Sequence, residues 1–319
     1  MTQRTRYALA LGIASLLASP AYAQQTSLAE AANQPASTTG VAGQLRAQIL
    51  LDRAHFSPGE IDGQSGSNQR RALRGYQTAK GLPVTGALDA ATWTALNAGA
   101  PPAIVAYTLT AADVDAAYTK LPKDMVEKSR LKGLGYESLE EALGERFHAS
   151  PALLKQLNPG VDFGKAGSQL QVPNVAGTDA LPKPAKVVVD KSDSTLTLQD
   201  AGGKAIAQYP VSSGSEHDPL PIGEWKIVGT ARNPTFHYNP ALFWDADPSH
   251  AKATLAPGPN NPVGTVWIDL SKPHYGLHGS PTPASIGKTQ SHGCVRLTNW
   301  DVETLATALD ASVPVVMQE

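Results

Sequence analysis

Apolar residues recur at helical spacing between residues 43 and 99, and this predicts a small domain of three helices. The residues at this spacing are Leu45, Ile49 and Leu50 in a first segment, Ala72, Leu73 and Tyr76 in a second, and Trp93 and Leu96 in a third. Asp89 stands where an acidic side chain can cap the third helix. The helices are expected to surround a small core of Leu, Ile, Tyr and Trp side chains.

The pattern is mixed between residues 103 and 176, where it predicts a helix, a turn, a second helix, a loop and a strand. Ser138 and Glu141 form a capping box at the start of the first of these helices. Pro151 stands in the first turn of the second helix, where a missing N–H costs nothing. We therefore expect a mixed middle module in this region.

From Lys186 onward, after a proline-rich break at 180–184, apolar residues alternate with a period of two, and this predicts strands. The apolar residues in these short runs are Val187, Val189, Leu196, Leu198, Ile206, Trp225, Ile227 and Trp267. Residues 299–309 have helical spacing instead. The region 185–319 is therefore predicted to be a β-rich domain, and the whole chain to be a multidomain α+β protein.

The first residues have the pattern of a secretory signal peptide. Arg4 and Arg6 precede an apolar run over residues 7–17, and Ala21-Tyr22-Ala23 fits a cleavage site. The run is shorter than the roughly 20 residues that cross a bilayer. We expect a signal peptide over residues 1–23, a flexible linker over 24–42, and an exported periplasmic protein without a membrane span.

Composition and charge narrow the classes of partner. The chain has 319 residues, with 26 Lys and Arg against 28 Asp and Glu, and a formal net charge of -2. So balanced a chain is not expected to bind nucleic acid or an anionic membrane. Its one cysteine, Cys294, cannot form an internal disulfide. In an exported protein, a single cysteine indicates a reactive thiol, an intermolecular disulfide or an inert buried side chain.

The neighbours of Cys294 favour a reactive thiol. A histidine close to a cysteine can lower the pKa of the thiol and take its proton. His292 is two residues away, whereas His278 precedes the cysteine by 16 residues (294 − 278) and comes from a separate predicted strand. We expect His278 to be the base and His292 to shape the pocket. The N–H groups of Gly293 and Cys294 are candidates for binding an oxyanion.

Two histidines and a cysteine could also bind zinc, which favours these ligands. No fourth ligand is evident near this stretch, so we predict neither a metal site nor a cofactor. His278 could otherwise be a satisfied core residue, and Arg296 a surface charge. The functional interpretation is favoured because all these residues lie within one segment punctuated by glycines.

Residues 185–318 resemble the L,D-transpeptidase catalytic domain (the YkuD-type fold) of bacterial cell-wall enzymes. The stretches that carry the resemblance are His278-Gly279-Ser280, Ala284-Ser285-Ile286-Gly287, Ser291-His292-Gly293-Cys294-Val295-Arg296-Leu297, Pro221-Ile222-Gly223-Glu224-Trp225 and residues 258–264. The resemblance implies a β-rich sandwich with Cys294 as nucleophile and His278 as general base. It also implies that substrate or oxyanion contacts come from Ser291, His292, Gly293, Arg296, Gly279 and Ser280. Leu220 and Ala311-Ser312 depart from the family pattern away from the chemistry.

Two accessory regions resemble wall-binding modules. Residues 43–97 are similar to a three-helix peptidoglycan-binding domain, through Ile61-Asp62-Gly63, Ala72 to Gln77, Gly81 to Gly86 and Thr92 to Leu96. Residues 103–176 resemble a LysM-type glycan-binding module, through Leu157-Asn158-Pro159-Gly160 and Val172-Pro173-Asn174. The N-terminal strand of such a module is not evident in the sequence. Each region could equally be a spacer.

The resemblance implies an enzyme that acts on peptidoglycan stem peptides. Cys294 would attack the carbonyl between a third-position diamino acid and a terminal D-alanine, release D-alanine and form a thioester. An amine would then accept the acyl group: a second stem peptide, a lipoprotein lysine or a D-amino acid. Water as acceptor would make the enzyme an L,D-carboxypeptidase. A catalytically silent wall-binding protein and a general cysteine peptidase are the alternatives.

Overall fold

The computed structural model of the protein describes residues 26–35, 40–176 and 180–319. The signal peptide expected over residues 1–23 lies outside this part of the chain. None of the helices in the described ranges is long and apolar enough to cross a membrane.

The N-terminal region is helical, as the spacing of its apolar residues predicts. Its helices are α1 (Leu28–Ala32), α2 (Gly40–Arg53), α3 (Ser67–Lys80) and α4 (Ala90–Asn97). Asp89 caps α4 by accepting a hydrogen bond from the N–H of Thr92 at 2.9 Å. Leu50, Leu73 and Tyr76 are buried in one core among these helices. The three helices predicted over residues 43–99 are therefore confirmed as α2, α3 and α4.

The structure differs from the flexible linker expected over residues 24–42. Helix α1 lies within that stretch, and Ser27 and Glu30 form a capping box at its start. Ala29 and Ala32 are buried against the next part of the chain. The first predicted helix also begins earlier, at Gly40. The sequence showed no sign of this helix, because its buried face consists of alanines rather than large apolar residues.

The middle module contains two strands and four short helices in the described ranges. Their bounds are β1 (Ile104–Thr108), α5 (Ala111–Val114), α6 (Met125–Lys128), α7 (Leu139–Arg146), α8 (Pro151–Leu157) and β2 (Gln169–Pro173). Strands β1 and β2 pair antiparallel, with Ile104 opposite Pro173. The capping box predicted at Ser138 is present in part, because the Ser138 hydroxyl accepts a hydrogen bond from the N–H of Glu141 at 3.1 Å. Strand β1 and the short helices α5 and α6 are the elements that the sequence did not predict.

The helical region and the middle module share a core. Leu45 and Ile49 on α2 are fully buried together with Leu143 of α7 and Leu154 of α8. The opposite face of α2 supplies Leu50 to the helical core. One helix therefore contributes to both regions, which do not pack as separate domains.

The C-terminal domain is β-rich, as predicted. Its elements are β3 (Lys186–Asp190), β4 (Thr195–Gln199), β5 (Ala205–Pro210), β6 (Gly223–Arg232), β7 (Phe236–Tyr238), β8 (Ala253–Leu255), β9 (Val266–Leu270), β10 (Gly276–His278), β11 (Val295–Arg296), α9 (Asn299–Ala308) and β12 (Pro314–Gln318). Eight strands form one continuous sheet in the order β11-β10-β9-β6-β12-β3-β4-β5. Both halves of the sheet and helix α9 bury side chains in a single core, with Val187, Ile268 and Leu305 all fully buried.

Strands β7 and β8 pair apart from the large sheet and carry a long loop between them. We call residues 239–252 of this hairpin the lid loop. A segment of the middle module supports the hairpin: Leu134 is buried against Tyr238 and Leu255, and the N–H of Leu134 donates to the carbonyl of Pro257 at 2.9 Å. His250 of the lid loop contacts Asp124, with 2.7 Å between Nε2 and the carboxylate. The middle module therefore helps to hold this hairpin in place.

Candidate active site

Cys294 and His278 are brought together by the pairing of two short strands. Strands β10 and β11 are parallel, with Leu277 opposite Val295 and His278 opposite Arg296. The cysteine immediately precedes β11 and continues this register beside Gly276, and because alternate residues of a strand point to one face, Cys294 and His278 lie on the same face of the sheet. Both line one cavity of about 1140 Å³. The two residues that the sequence singles out for thiol chemistry thus share one cavity.

His278 is buried as a neutral imidazole. Its Nδ1 lies 2.7 Å from the carbonyl oxygen of Gly279, so Nδ1 donates its proton there and Nε2 is left with a lone pair. The ring stacks on Trp267, with 5.4 Å between centroids. Burial lowers the pKa of His278 to about 4, and the nearby positive charge of Arg296 adds to this, against the hydrogen bond to Gly279. The residue is therefore a free base across the neutral pH range.

Cys294 is a neutral thiol in this structure. Burial raises its pKa, although the N–H of Gly276 and the charge of Arg296 act in the opposite direction. The thiol Sγ donates to the carbonyl of His274 at 3.5 Å, and in the described residues no hydrogen bond joins it to His278. The expectation that a histidine lowers the thiol pKa is wrong, because a neutral imidazole provides no charge to offset burial.

The turn that presents Cys294 depends on a glycine. Gly293 has a φ of +94°, and a Cβ built on it would lie 2.7 Å from the ring of Tyr275. Both the backbone conformation and this close approach favour glycine. Ser291 closes the turn, because its hydroxyl donates to the carbonyl of Cys294 at 2.5 Å. The buried Ser291 therefore supports the turn rather than lining the cavity.

His292 and Arg296 line the cavity beside the thiol, as the sequence suggests. His292 Nε2 lies 2.8 Å from the carboxylate of Asp245 in the lid loop. Arg296 Nη2 lies 3.5 Å from His292 Nδ1. Burial lowers the pKa of Arg296, whereas the charge of Asp245, and that of Cys294 when it is ionised, raise it. These three side chains form a polar network that joins the lid loop to residues 291–294, which we call the cysteine loop.

Gly279 and Ser280, which the resemblance assigned to the substrate contacts, lie behind the cavity. A Cβ on Gly279 would be 2.2 Å from Asn299 Oδ1, so this position packs directly against helix α9. The buried Ser280 hydroxyl accepts a hydrogen bond from the N–H of Thr282 at 3.2 Å. Neither residue lines the cavity. In this structure, both help to fix the backbone that carries His278.

Several cavity residues were not found from the sequence. They are Tyr275 beside Gly293, Asp245 in the lid loop, Asp218 in the loop before β6, and Lys123 to Met125 of the middle module. None has a spacing that marks it in advance, because each reaches the cavity through an irregular loop. Within the described ranges, no three His, Cys, Asp or Glu side chains are grouped closely enough to hold a metal ion.

The chain was compared with families of known proteins. A family model described as the L,D-transpeptidase catalytic domain matches residues 184–317. A second, described as a "Putative peptidoglycan binding domain", matches residues 45–96. Both matches fall on the regions where the sequence shows the corresponding resemblance.

Individual relatives carry related names. "Putative L,D-transpeptidase YkuD" of Bacillus licheniformis is 31% identical over 169 residues, which cover 52% of this chain and 86% of the relative. The protein of the same name in Bacillus subtilis is 32% identical over 162 residues, covering 50% and 82%. Among solved structures, L,D-transpeptidase 3 of Mycobacterium tuberculosis is 18% identical, with a TM-score of 0.36 over 50% of this chain and 78% of that one.

Proposed function

This chain belongs to the L,D-transpeptidase family and is an enzyme that acts on peptidoglycan, and we propose that Cys294 is its nucleophile and His278 its general base. The observation that supports this proposal is the cavity in which a neutral thiol and a neutral imidazole lie together. The proposed substrate is a stem tetrapeptide that ends in a diamino acid followed by D-alanine.

In the first step, Sγ of Cys294 attacks the carbonyl carbon between these two residues while Nε2 of His278 takes the thiol proton. Negative charge develops on the carbonyl oxygen, where the N–H groups of Gly293 and Cys294 are proposed to stabilise it. The imidazolium then gives its proton to the amine of D-alanine, and the C–N bond breaks. The products are free D-alanine and a thioester on Cys294.

In the second step, an amine attacks the thioester carbonyl and loses a proton to His278. The C–S bond breaks, and the sulfur regains a proton from the imidazolium. The acceptor is proposed to be the side-chain amine of a second stem peptide, which gives a cross-link. A lipoprotein lysine or a D-amino acid would follow the same chemistry, and water would give hydrolysis.

The accessory regions are proposed to hold the enzyme on its polymeric substrate. The match of residues 45–96 to a peptidoglycan-binding family supports this role for helices α2 to α4. The LysM-type resemblance supports glycan binding by the middle module. In that module, the paired strands β1 and β2 come before and after helices α7 and α8 in the sequence. We also propose that the protein is exported and works in the periplasm.

The proposal is tested with purified tetrapeptide muropeptides and mass spectrometry. The full chain is expected to release D-alanine and to give a dimer, an exchange product or a tripeptide, which identifies the acceptor. Cys294→Ala should abolish release, because the thioester cannot form, and should keep the melting temperature of the native protein. Release of D-alanine by a folded Cys294→Ala variant would refute the assignment. Cleavage of casein by the native chain would instead indicate a general peptidase.

A further inference from the structure

Five carboxylates line the cavity that contains Cys294, and one of them differs from the others. The five are Asp124, Asp218, Asp245, Asp247 and Asp269. Four bind neighbouring side chains in the described structure: Asp124 binds His250, Asp245 binds His292, Asp247 binds Ser249 and Asp269 binds Trp267. Asp218 has no such partner among the described residues, so its carboxylate is available to bind a ligand.

The carboxylate of Asp218 is both shielded and fixed in place. Its Oδ2 is buried and has no hydrogen-bond partner among the described residues. The backbone around it is held by Ser215, whose hydroxyl accepts from the N–H of Asp218 at 3.0 Å and whose N–H donates to the carbonyl of Asp218 at 2.9 Å. A buried acceptor without a donor costs free energy. An arriving cation would remove this cost.

Asp218 lines the same cavity as the thiol, and both lie close to Tyr275. Burial raises the pKa of the Tyr275 hydroxyl, and the charges of Cys294 and Asp218 both raise it further. The ring of Tyr275 packs against Gly293, next to the cysteine. A substrate held as a thioester on Cys294 would occupy the cavity that Asp218 also lines.

We propose that Asp218 binds the side-chain ammonium of the diamino acid that supplies the acyl group. This inference rests on the proposed function, in which that residue becomes the thioester. The donor's ammonium does not react, so an ion pair with it does not interfere with the chemistry. The acceptor amine must be unprotonated to attack, and a buried carboxylate beside it would favour the unreactive ammonium. The donor is therefore the partner that suits this carboxylate.

The test compares two tetrapeptide donors that differ only in charge. One ends in diaminopimelate and D-alanine, and the other carries an acetyl group on the side-chain amine of the same residue. D-alanine release by the full native chain should favour the charged donor by about 10- to 100-fold in kcat/KM, which is typical of a hydrogen bond to a charged group. Asp218→Asn, which keeps the shape of the side chain, should reduce this preference to less than about threefold.

Asp247→Asn is the matched control, because Asp247 lines the same cavity but already accepts a hydrogen bond from Ser249 at 2.6 Å. It should keep the preference for the charged donor. Equal preference in the native chain and in Asp218→Asn would overturn the inference while leaving the proposed function standing. A change in the ratio of transfer to hydrolysis alone would assign Asp218 to the acceptor and overturn it as well. Failure of the native chain to release D-alanine from either donor would overturn both.

Discussion

The reacting pair at the centre of this site is unusual for thiol chemistry in being uncharged at rest. Burial acts on both members, raising the pKa of Cys294 and lowering that of His278 to about 4. A thiolate–imidazolium pair is therefore disfavoured before substrate binds. In the proposed mechanism, proton transfer therefore accompanies attack on the carbonyl, with the imidazole as general base.

This state of His278 predicts the pH profile of the enzyme. The imidazole stays unprotonated as long as the pH exceeds its pKa, so kcat/KM for D-alanine release should hold on the acid side down to about pH 4 to 5. His278→Gln should lower kcat/KM by about 10²- to 10⁴-fold, the usual contribution of a general base. The measurement is D-alanine release between pH 4 and pH 9.

His237→Gln provides the control for that experiment. His237 lines the same cavity, is exposed, and contacts Thr254 through Nδ1 at 3.2 Å. This variant should keep both the rate and the acid limb of the native chain. If kcat/KM of the native chain instead fell with a midpoint near pH 6.5, the ordinary pKa of histidine, His278 would not be the buried neutral base described here.

At the scale of elements, the lid loop is held by the contact of His250 with Asp124 of the middle module and by two further contacts, which Asp245 and Trp244 make. Asp245 binds His292 of the cysteine loop at 2.8 Å. Trp244 stacks on His217, with 4.4 Å between ring centroids, although 60% of its surface is exposed. Both contacts lie near the surface, where individual interactions are weak. The loop is therefore expected to open without disturbing the sheet beneath it.

Asp245→Asn should loosen the lid loop by weakening its contact with His292. Alkylation of Cys294 by a bulky maleimide should become about two- to fivefold faster, since a polar contact near the surface contributes only about 0.2 to 1 kcal/mol. Iodoacetamide, which is smaller, should be affected less. Asp247→Asn, in the same loop, should leave both rates unchanged. An equal increase for both reagents would show that the variant alters the thiol rather than access to it.

The elements that the sequence predicts are those with regular spacing of large apolar side chains. Helix α2 follows from Leu45 and Ile49, and strand β3 from the alternation at Val187 and Val189. Helix α1 was missed because its buried face is alanine. Strand β1 was missed as well, and its pairing partner, β2, lies some 60 residues later in the chain.

The residues of the candidate site also divide into those that the sequence indicates and those that it does not. Cys294, His278, His292 and Arg296 were found because they lie in one short glycine-punctuated stretch, and all four line the cavity. Asp218 and Asp245 were missed, because loops with no period bring them to the cavity. Local sequence thus indicates the residues at the reacting bond. It does not indicate those that come from elsewhere to surround it.

At the scale of the whole molecule, the accessory regions are built into the catalytic domain. Helix α3 packs on strand β5, where Gln208 donates to the carbonyl of Arg71 at 2.9 Å. Asn68 donates to the carbonyl of Ile286, close to the cysteine loop, at 2.8 Å. Deleting residues 43–97 would expose these surfaces. Wall binding is therefore better measured on the full chain, by sedimentation with sacculi.

All three regions meet at a buried junction rich in titratable groups. The carboxylate of Asp301 at the start of α9 accepts a hydrogen bond from Ser57 at 3.0 Å. His148 of the middle module stacks on Trp300, with 5.0 Å between ring centroids, and contacts Asp52 at 3.1 Å. Beside them, Asn299 donates to Glu145 at 3.2 Å. Protonation of these groups is therefore linked to how tightly the three regions hold together.

The pKa values at this junction shift in the same direction. Burial raises the pKa of Asp301 to about 7 and that of Glu145 to about 8, and the charge of Asp52 adds to the shift at Asp301. Burial lowers the pKa of His148, but the charge and hydrogen bond of Asp52 together with the charges of Asp301 and Glu145 outweigh it, so the net value is above the ordinary one. Each group binds its proton more tightly when folded. The stabilisation is fully present below the unfolded pKa and is lost as pH rises through the folded pKa.

Asp301→Asn should therefore change the pH dependence of stability, because asparagine is neutral at every pH. Between about pH 4 and pH 7, native Asp301 keeps its proton whereas the unfolded chain loses it. The free energy of unfolding of the native chain relative to the variant should fall by on the order of 1 kcal/mol per pH unit in that window, then level off. Glu303→Gln is the control, since Glu303 lies on the same helix, is only partly buried and pairs with Arg232. Urea unfolding at pH 5, 6, 7 and 8 gives both differences. A difference in free energy of unfolding that stays constant with pH between the native chain and Asp301→Asn would mean that Asp301 is already ionised in the folded protein. A difference that falls with pH for Asp301→Asn but not for Glu303→Gln would locate the pH dependence at the junction of the three regions.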